Sequence, residues 1–278
     1  MNVRVFSGSR RVDAIAPDDR GVAYGDGLFE TMRVHRGAVP WWDAHWARLR
    51  LGAERLRLCL PDQQQVREEA AALFADDDPA NDRDGVLKLV VTRGSGGRGY
   101  APEAAAEPTW LLSRHAAPAP PADGLHVRWC ETRLAPQPLL AGIKHCNRLE
   151  QVLARVECIE AGLDEGLMRD LDGNVVSATS ANLFVLRDGR WLTPVLDHCG
   201  VAGVCRAQLL PALQAREARL DAAAIEAADA VFLCNAVRGI LPLARLGARA
   251  WPAHPAIAVA RVALARRHPA FALDMEHP

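Results

Sequence analysis

The sequence predicts a mixed α/β chain of two domains, from three observations. Apolar residues recur at three- and four-residue steps between positions 43 and 58. The run Val86-Leu87-Lys88-Leu89-Val90-Val91 is nearly continuous and rich in β-branched residues. The second half is dense in short apolar stretches divided by glycine turns.

Asp43 stands where an N-cap would, ahead of Trp46, Leu49, Ala53 and Leu56, so the spacing predicts a helix over 43–58. Residues 86–92 predict a strand, with 108–113 as its pairing partner. Residues 116–124, Ala-Ala-Pro-Ala-Pro-Pro-Ala-Asp-Gly, can continue neither a helix nor a central strand. They are read as a linker between a domain over 1–115 and a larger one over 125–278. Beyond the linker, 125–129 predicts a strand, and Leu149, Val152, Leu153, Val156 and Ile159 form one helix face, read as core packing. Residues 166–171, the Asp172-Gly173-Asn174 turn, Val175 and Val176, then 182–186, the Asp188-Gly189 turn and 190–193 predict successive hairpins. A helix is expected from Cys205 toward Leu220, kinked or shortened by Pro211, then a strand over 230–234 and a surface helix after Ala258.

Composition narrows the function classes. With 278 residues, 50% of them hydrophobic, and 33 Lys and Arg against 34 Asp and Glu, the chain can bury a sizeable core and is not disordered as a whole. A net charge of −1 gives no footprint for nucleic acid, and no apolar run is long enough for a membrane span. The first residues carry arginines among short apolar stretches and lack the apolar core of a signal peptide, so a cytoplasmic protein is expected. The seven cysteines form no Cys-x-x-Cys pair and the histidines lack ligand spacing, so the cysteines are read as reduced and no metal site is expected.

Three segments carry candidate chemistry. In Gly142-Ile143-Lys144-His145-Cys146-Asn147-Arg148, a lysine follows an apolar pair just before a helix. Burial there would favour its neutral amine, which can condense with an aldehyde. Gly200-Val201-Ala202-Gly203-Val204-Cys205-Arg206 leads from a glycine-flanked loop into a helix, where free backbone N–H groups and the helix dipole suit a phosphate. Arg48, three residues after His45, could supply the matching guanidinium. Arg93-Gly94-Ser95-Gly96-Gly97-Arg98-Gly99-Tyr100 follows a strand but lacks the terminal Lys-Ser/Thr of a nucleotide loop, so carboxylates are its better ligand. Taken alone, the lysine and Arg48 read more simply as surface residues and the Gly200–Arg206 segment as a plain helix start, and the Arg93–Tyr100 loop reads equally as a solvent loop.

Together the segments resemble the fold-type IV pyridoxal-phosphate enzymes, and within them the aminodeoxychorismate lyase subgroup. Tyr24-Gly25-Asp26-Gly27-Leu28-Phe29-Glu30-Thr31 looks like the family's N-terminal signature, and His45-x-x-Arg48-Leu49 like its phosphate-arginine helix. Gly142-Ile143-Lys144-His145, with Asn147-Arg148-Leu149-Glu150 after it, and the Arg93–Tyr100 loop are similar to the lyase subgroup. The resemblance implies a small α/β N-terminal domain, a larger barrel-like C-terminal β domain with helices, and a homodimer. It implies pyridoxal 5'-phosphate as cofactor, with Lys144 as its Schiff-base lysine and general acid/base. Arg48, Ser177, Val204, Cys205 and Asn235 would lie around the cofactor, and Arg98, Arg93, Tyr100 and Thr31 around the substrate. The implied reaction converts 4-amino-4-deoxychorismate to 4-aminobenzoate and pyruvate in folate biosynthesis.

One departure bears on the chemistry. Five residues before Asn182 the family pattern has a glutamate that pairs with the pyridine nitrogen of the cofactor, and this chain has Ser177. A hydroxyl cannot stabilise a pyridinium as a carboxylate does, which weakens the ring as an electron sink. Transamination leans on that sink more than an elimination driven by aromatisation. The substitution therefore favours a lyase over the alternative of a D-amino-acid or branched-chain aminotransferase, and retained Lys144 disfavours a non-catalytic binding protein. Trp191 replaces an aliphatic residue of the pattern and is read as a packing change.

Overall fold

The computed structural model describes residues 3–75, 83–103, 106–119 and 124–272, so part of the expected linker lies outside the described residues. The chain divides into two compact units. The first is Met1–Ala117 with Ile143–Asn147, and the second is Pro118–Gly142 with Arg148–Pro278. The lysine segment therefore groups with the first unit, whereas a division at the linker places it in the second.

In the first unit, among the described residues, β1 (Val3–Ser7), β2 (Arg10–Val12), α1 (Arg20–Tyr24), β3 (Gly27–Val34), α2 (Trp42–Leu56), α3 (Gln63–Phe74), β4 (Gly85–Thr92) and β5 (Thr109–His115) follow in order. The strands form one antiparallel sheet in the order β2-β1-β5-β4-β3, and β4 pairs with β5 as the sequence predicts. Strand β3, absent from the elements expected by periodicity, lies at the sheet edge and alternates strictly. Leu28, Glu30, Met32 and Val34 are buried, while Phe29, Thr31 and Arg33 are half-buried on the other face. The N-cap of helix α2 lies two residues earlier than expected. Trp41 is its N-cap and Asp43 lies inside the first turn, where a carboxylate still favours the helix dipole. Its buried face is Trp42, His45, Leu49, Gly52 and Ala53, rotated from the expected stripe. Gly52 lets the helix approach the sheet closely, since a Cβ there would lie 2.8 Å from Leu28.

The second unit holds β6 (Leu125–Trp129), α4 (Leu149–Glu160), β7 (Glu165–Arg169), β8 (Val175–Ala178), β9 (Asn182–Arg187), β10 (Arg190–Pro194), α5 (Val204–Ala212), β11 (Arg216–Ala218), α6 (Ala222–Glu226), β12 (Ala230–Asn235), β13 (Gly239–Leu246), β14 (Arg249–Ala250) and α7 (Pro255–Ala265). Among the described residues its nine strands form one sheet, ordered β11-β10-β9-β12-β13-β6-β7-β8 with β14 on β13. The sheet curls until its ends meet, because the Val175 N–H at the start of β8 donates to the Leu220 carbonyl just past β11, at 2.7 Å. This is the barrel-like half expected from the resemblance. Leu125, Leu167, Leu183, Val185, Val231, Leu233 and Leu241 fill its core.

Two expectations for this unit are corrected. The apolar face of α4 is not core: Leu149 is 77% exposed and Ile159 64%, with Val152, Leu153 and Val156 also exposed, while the helix buries the small residues Ala154 and Cys158. Helix α5 ends at Ala212, one residue after Pro211, and the chain returns as β11 rather than continuing helical toward Leu220. Helix α7 buries Ile257, Ala260 and Leu264 and so packs by one face.

Candidate active site

Glu30 is a charged residue at an inward position of an otherwise apolar strand face, only 1% exposed. Helix α2 supplies its partners. Arg48 donates from Nε to Glu30 Oε1 at 2.8 Å and from Nη2 to Oε2, and His45 Nδ1 lies 2.6 Å from Oε2. The i, i+3 spacing of His45 and Arg48 puts both on the helix face that meets β3. Burial opposes ionisation of Glu30, but Arg48 and His45 outweigh it and hold the carboxyl at about 2. His45 is pushed below its usual value, first by burial and then by the charges of Arg48 and Lys144, against the pull of Glu30. A neutral imidazole carrying its proton on Nδ1 and donating to an ionised Glu30 satisfies both groups.

Lys144 is presented by backbone pairing on the open edge of β3. The Phe29 N–H donates to the Lys144 carbonyl at 3.0 Å, the Cys146 N–H donates to the Gly27 carbonyl at 2.9 Å, and the Asn147 side-chain amide donates to the Gly25 carbonyl at 3.0 Å. The Lys144 ammonium lies 4.3 Å from the centroid of the Phe29 ring. Thr31 shares that face of β3, two residues along from Phe29.

In the second unit, Asn182 clamps the loop before α5: its Nδ2 donates to the Val201 carbonyl at 2.9 Å, and its Oδ1 accepts from the Gly203 N–H at 3.0 Å. A Cβ at Gly203 would fall 2.0 Å from that Oδ1, so the position requires glycine. Gly203 is the N-cap of α5, with no capping side chain and no acidic residue in the first turn, so the helix opens with the amides of Val204 and Cys205. Arg206 pins the helix to β10 by donating from Nη2 to the Pro194 carbonyl at 2.8 Å and from Nε to the Thr193 hydroxyl at 3.2 Å.

Residues 27–246 match the family model described as amino-transferase class IV. The chain belongs to the class IV aminotransferase family. This class IV chain is 35% identical to the aminodeoxychorismate lyase of Vibrio harveyi, over 83% of its own length and 86% of the relative's. It is 30% identical to a putative branched-chain-amino-acid aminotransferase of Methanocaldococcus jannaschii, over 83% and 82%. A crystal structure of 4-amino-4-deoxychorismate lyase from Pseudomonas aeruginosa is similar with a TM-score of 0.86 at 40% identity, covering 98% of this chain and all of that one.

Within this class IV chain the sequence-derived site residues fall into groups. Lys144, Arg48 and Thr31 belong to the first unit around β3, and Val204, Cys205 and Ser177 to the second. Ser177 is buried in β8 opposite Met168 of β7. Two candidates are occupied elsewhere. The Arg93 guanidinium binds both Asp26 oxygens, at 2.7 and 3.0 Å, and donates to the carbonyls of Leu56 and Arg57 at the end of α2. These four bonds anchor the loop to the end of α2. Asn235 accepts from the Val237 and Arg238 amides through Oδ1, at 3.1 and 2.8 Å, and its Nδ2 lies 3.4 Å from the Ser180 carbonyl, so its oxygen shapes a turn. Arg98 and Tyr100 are exposed on the loop tip, and Tyr100 packs near Tyr24.

The structure adds Arg20, Phe29, Glu30, His45, Glu165 and Asn182 to the residues expected from the sequence to carry a role. Arg20 donates to Asp26 and to the carbonyls of Gly99 and Tyr100, fixing the loop, and with Arg93 it overcomes burial to lower the pKa of Asp26. Glu165 is buried and accepts from the Thr179 and Ser180 hydroxyls, so Thr179, the nearest hydroxyl in sequence to the missing carboxylate, is already committed.

Proposed function

We propose that the protein is a pyridoxal 5'-phosphate-dependent lyase that converts 4-amino-4-deoxychorismate to 4-aminobenzoate and pyruvate. The observation that carries the reading is Lys144, presented by the β3 edge beside the buried Glu30–Arg48 pair, in a chain 40% identical to such a lyase along its length. The donor set fits the cofactor: a primary amine suits an aldehyde, while a fixed guanidinium and an uncapped helix start suit a phosphate dianion. Arg48 and the amides of Val204 and Cys205 would hold the phosphate and Lys144 the aldehyde carbon. When bound, the cofactor supplies an electron-accepting group that acidifies the ring carbon bearing the substrate amine.

With the substrate amine in its place at the aldehyde carbon, the freed Lys144 Nζ would take the proton from that ring carbon as the adjacent C–O bond breaks, and the ring becomes aromatic. The enolpyruvate released gains one proton at its methylene to become pyruvate, and Lys144 returns it, so atoms and charge balance. Arg98, with Tyr100 and Thr31, is proposed to bind the substrate carboxylates. Ser177 supports elimination over transamination, since a neutral hydroxyl gives the ring nitrogen no charge partner.

The same proposal includes a homodimer working in the cytoplasm. The exposed face of α4, with five large apolar side chains in 12 residues, supports a second copy as its cover. Seven free cysteines, most of them buried, suit a reducing compartment. Among the described residues no helix is long and apolar enough to cross a membrane. Side-by-side rates with aminodeoxychorismate and with D-alanine or branched-chain amino acids plus 2-oxoglutarate test the activity. Faster lyase turnover supports the proposal, and faster transamination overturns it.

A further inference from the structure

We propose that Glu30 is a positioning residue that sets the orientation of Arg48 for the cofactor phosphate, with His45 as its brace; this rests on the reading of Arg48 as a phosphate ligand. An arginine facing a dianion from a flexible stem would normally rely on charge alone. Here the guanidinium is gripped side-on: Nε and Nη2 both donate to the Glu30 carboxylate, which fixes the plane of the fork and leaves the Nη1 edge directed away from Glu30. Glu30 cannot swing, because it is buried on β3 between Leu28 and Met32 and its Oε2 also lies 2.6 Å from His45 Nδ1.

The arrangement gives up electrostatic pull, since a carboxylate beside Arg48 cancels its charge. A group selected only for attracting anions would not include Glu30. Orientation explains a buried acid at this position, and the same strand carries the Lys144 segment on its edge, so one element sets both groups. Pure fold stabilisation is the competing explanation, and it makes a different prediction about ligands that lack a phosphate.

The test titrates the full-length, cofactor-stripped protein with pyridoxal 5'-phosphate and, separately, with pyridoxal, following the absorbance change on binding. The variants are Glu30→Gln, which keeps the shape and removes the charge, and Arg48→Lys. For Glu30→Gln, affinity for pyridoxal 5'-phosphate is expected to fall about tenfold while affinity for pyridoxal changes less than about twofold, the scale of one charge-assisted contact. Arg48→Lys should show the same selective loss. If Arg48→Lys is selective and Glu30→Gln is not, or if Glu30→Gln weakens both ligands equally, Glu30 is structural and the inference fails. If Arg48→Lys weakens both equally, the phosphate assignment of Arg48 fails instead. Should Glu30→Gln not fold, Glu30→Asp keeps the charge on a shorter arm and is read by the same ratio.

Discussion

Phe29 holds Lys144 twice: its backbone N–H donates to the lysine carbonyl at 3.0 Å, and its ring lies 4.3 Å from the lysine ammonium. One residue of an edge strand thus fixes both the main chain and the side chain of the proposed catalytic base. The main-chain bond survives substitution of the ring by another side chain and the ring contact does not, so the two contributions are separable. A cation over a ring contributes about 0.5–1 kcal/mol at a partly exposed site. Phe29→Leu should therefore slow product formation by roughly twofold to fivefold with the fold unchanged. An unaltered rate would show that the ring contact does not orient the lysine.

Stability should fall with acid in a way that depends on His45. Its folded pKa is lowered from 6.5, chiefly by burial, so it favours the folded chain at neutral pH and that advantage is lost as pH drops below 6.5. Glu30, held at about 2 against an ordinary 4.5, acts in the same direction lower down, its contribution being lost between pH 4.5 and 2. Urea midpoints measured from pH 7 to pH 5 should decline in the wild type and decline less in His45→Asn. Parallel curves would place the titrating group elsewhere.

Gly203→Ala should be costly out of proportion to one methyl group. The added Cβ would meet Asn182 Oδ1 at 2.0 Å, so the clamp on the 201–203 loop must open. Overpacking of this kind costs about 1–3 kcal/mol, and it displaces the amides proposed to meet the phosphate. A lower melting temperature together with weaker pyridoxal 5'-phosphate binding is the expected pair. Cofactor affinity equal to that of the wild type would detach this loop from the phosphate.

On the proposed dimer, the wild type is expected to sediment as a dimer at micromolar concentration and Val156→Lys, on the exposed face of α4, as a folded monomer. A charge at the centre of a buried apolar interface is not tolerated, whereas on a solvent-facing helix it is harmless. A dimer that persists in the variant would move the interface to another surface.

Ser177→Glu tests why this chain departs from the family pattern. A carboxylate paired with the ring nitrogen strengthens the electron sink by about the 1.5–3 kcal/mol of a charged hydrogen bond. Transamination of D-alanine should rise roughly tenfold or more relative to the lyase rate. If the ratio of the two rates stays constant, Ser177 does not decide between the reactions.

Much of the fold is legible because local pattern decides it. The β-branched run in β4 and the Asp-Gly turn between β9 and β10 each dictate one conformation. The misreadings arise where a pattern has two physical meanings. The stripe on α4 shows that a helix has an apolar face, but periodicity cannot say whether the chain itself covers it. For Arg93 and Asn235, residue type does not disclose the partners Asp26, Leu56 and the 237–238 amides, which tertiary placement or turn geometry sets. The ladder between the Lys144 segment and β3, Phe29 N–H to Lys144 carbonyl and Cys146 N–H to Gly27 carbonyl, is made by backbone groups, which leave no side-chain signature. Glu30 does leave one: alternation with Leu28 and Met32 marks it as an inward acid, and His45-x-x-Arg48 on the next helix supplies its partners.

The most direct measurement is the yield of 4-aminobenzoate and pyruvate from aminodeoxychorismate, with wild type and Lys144→Ala assayed side by side in the presence of pyridoxal 5'-phosphate. Equal amounts of both products from the wild type and neither from Lys144→Ala are predicted. Product formation at a comparable rate by Lys144→Ala, or none by a wild type that binds the cofactor, would contradict the assignment.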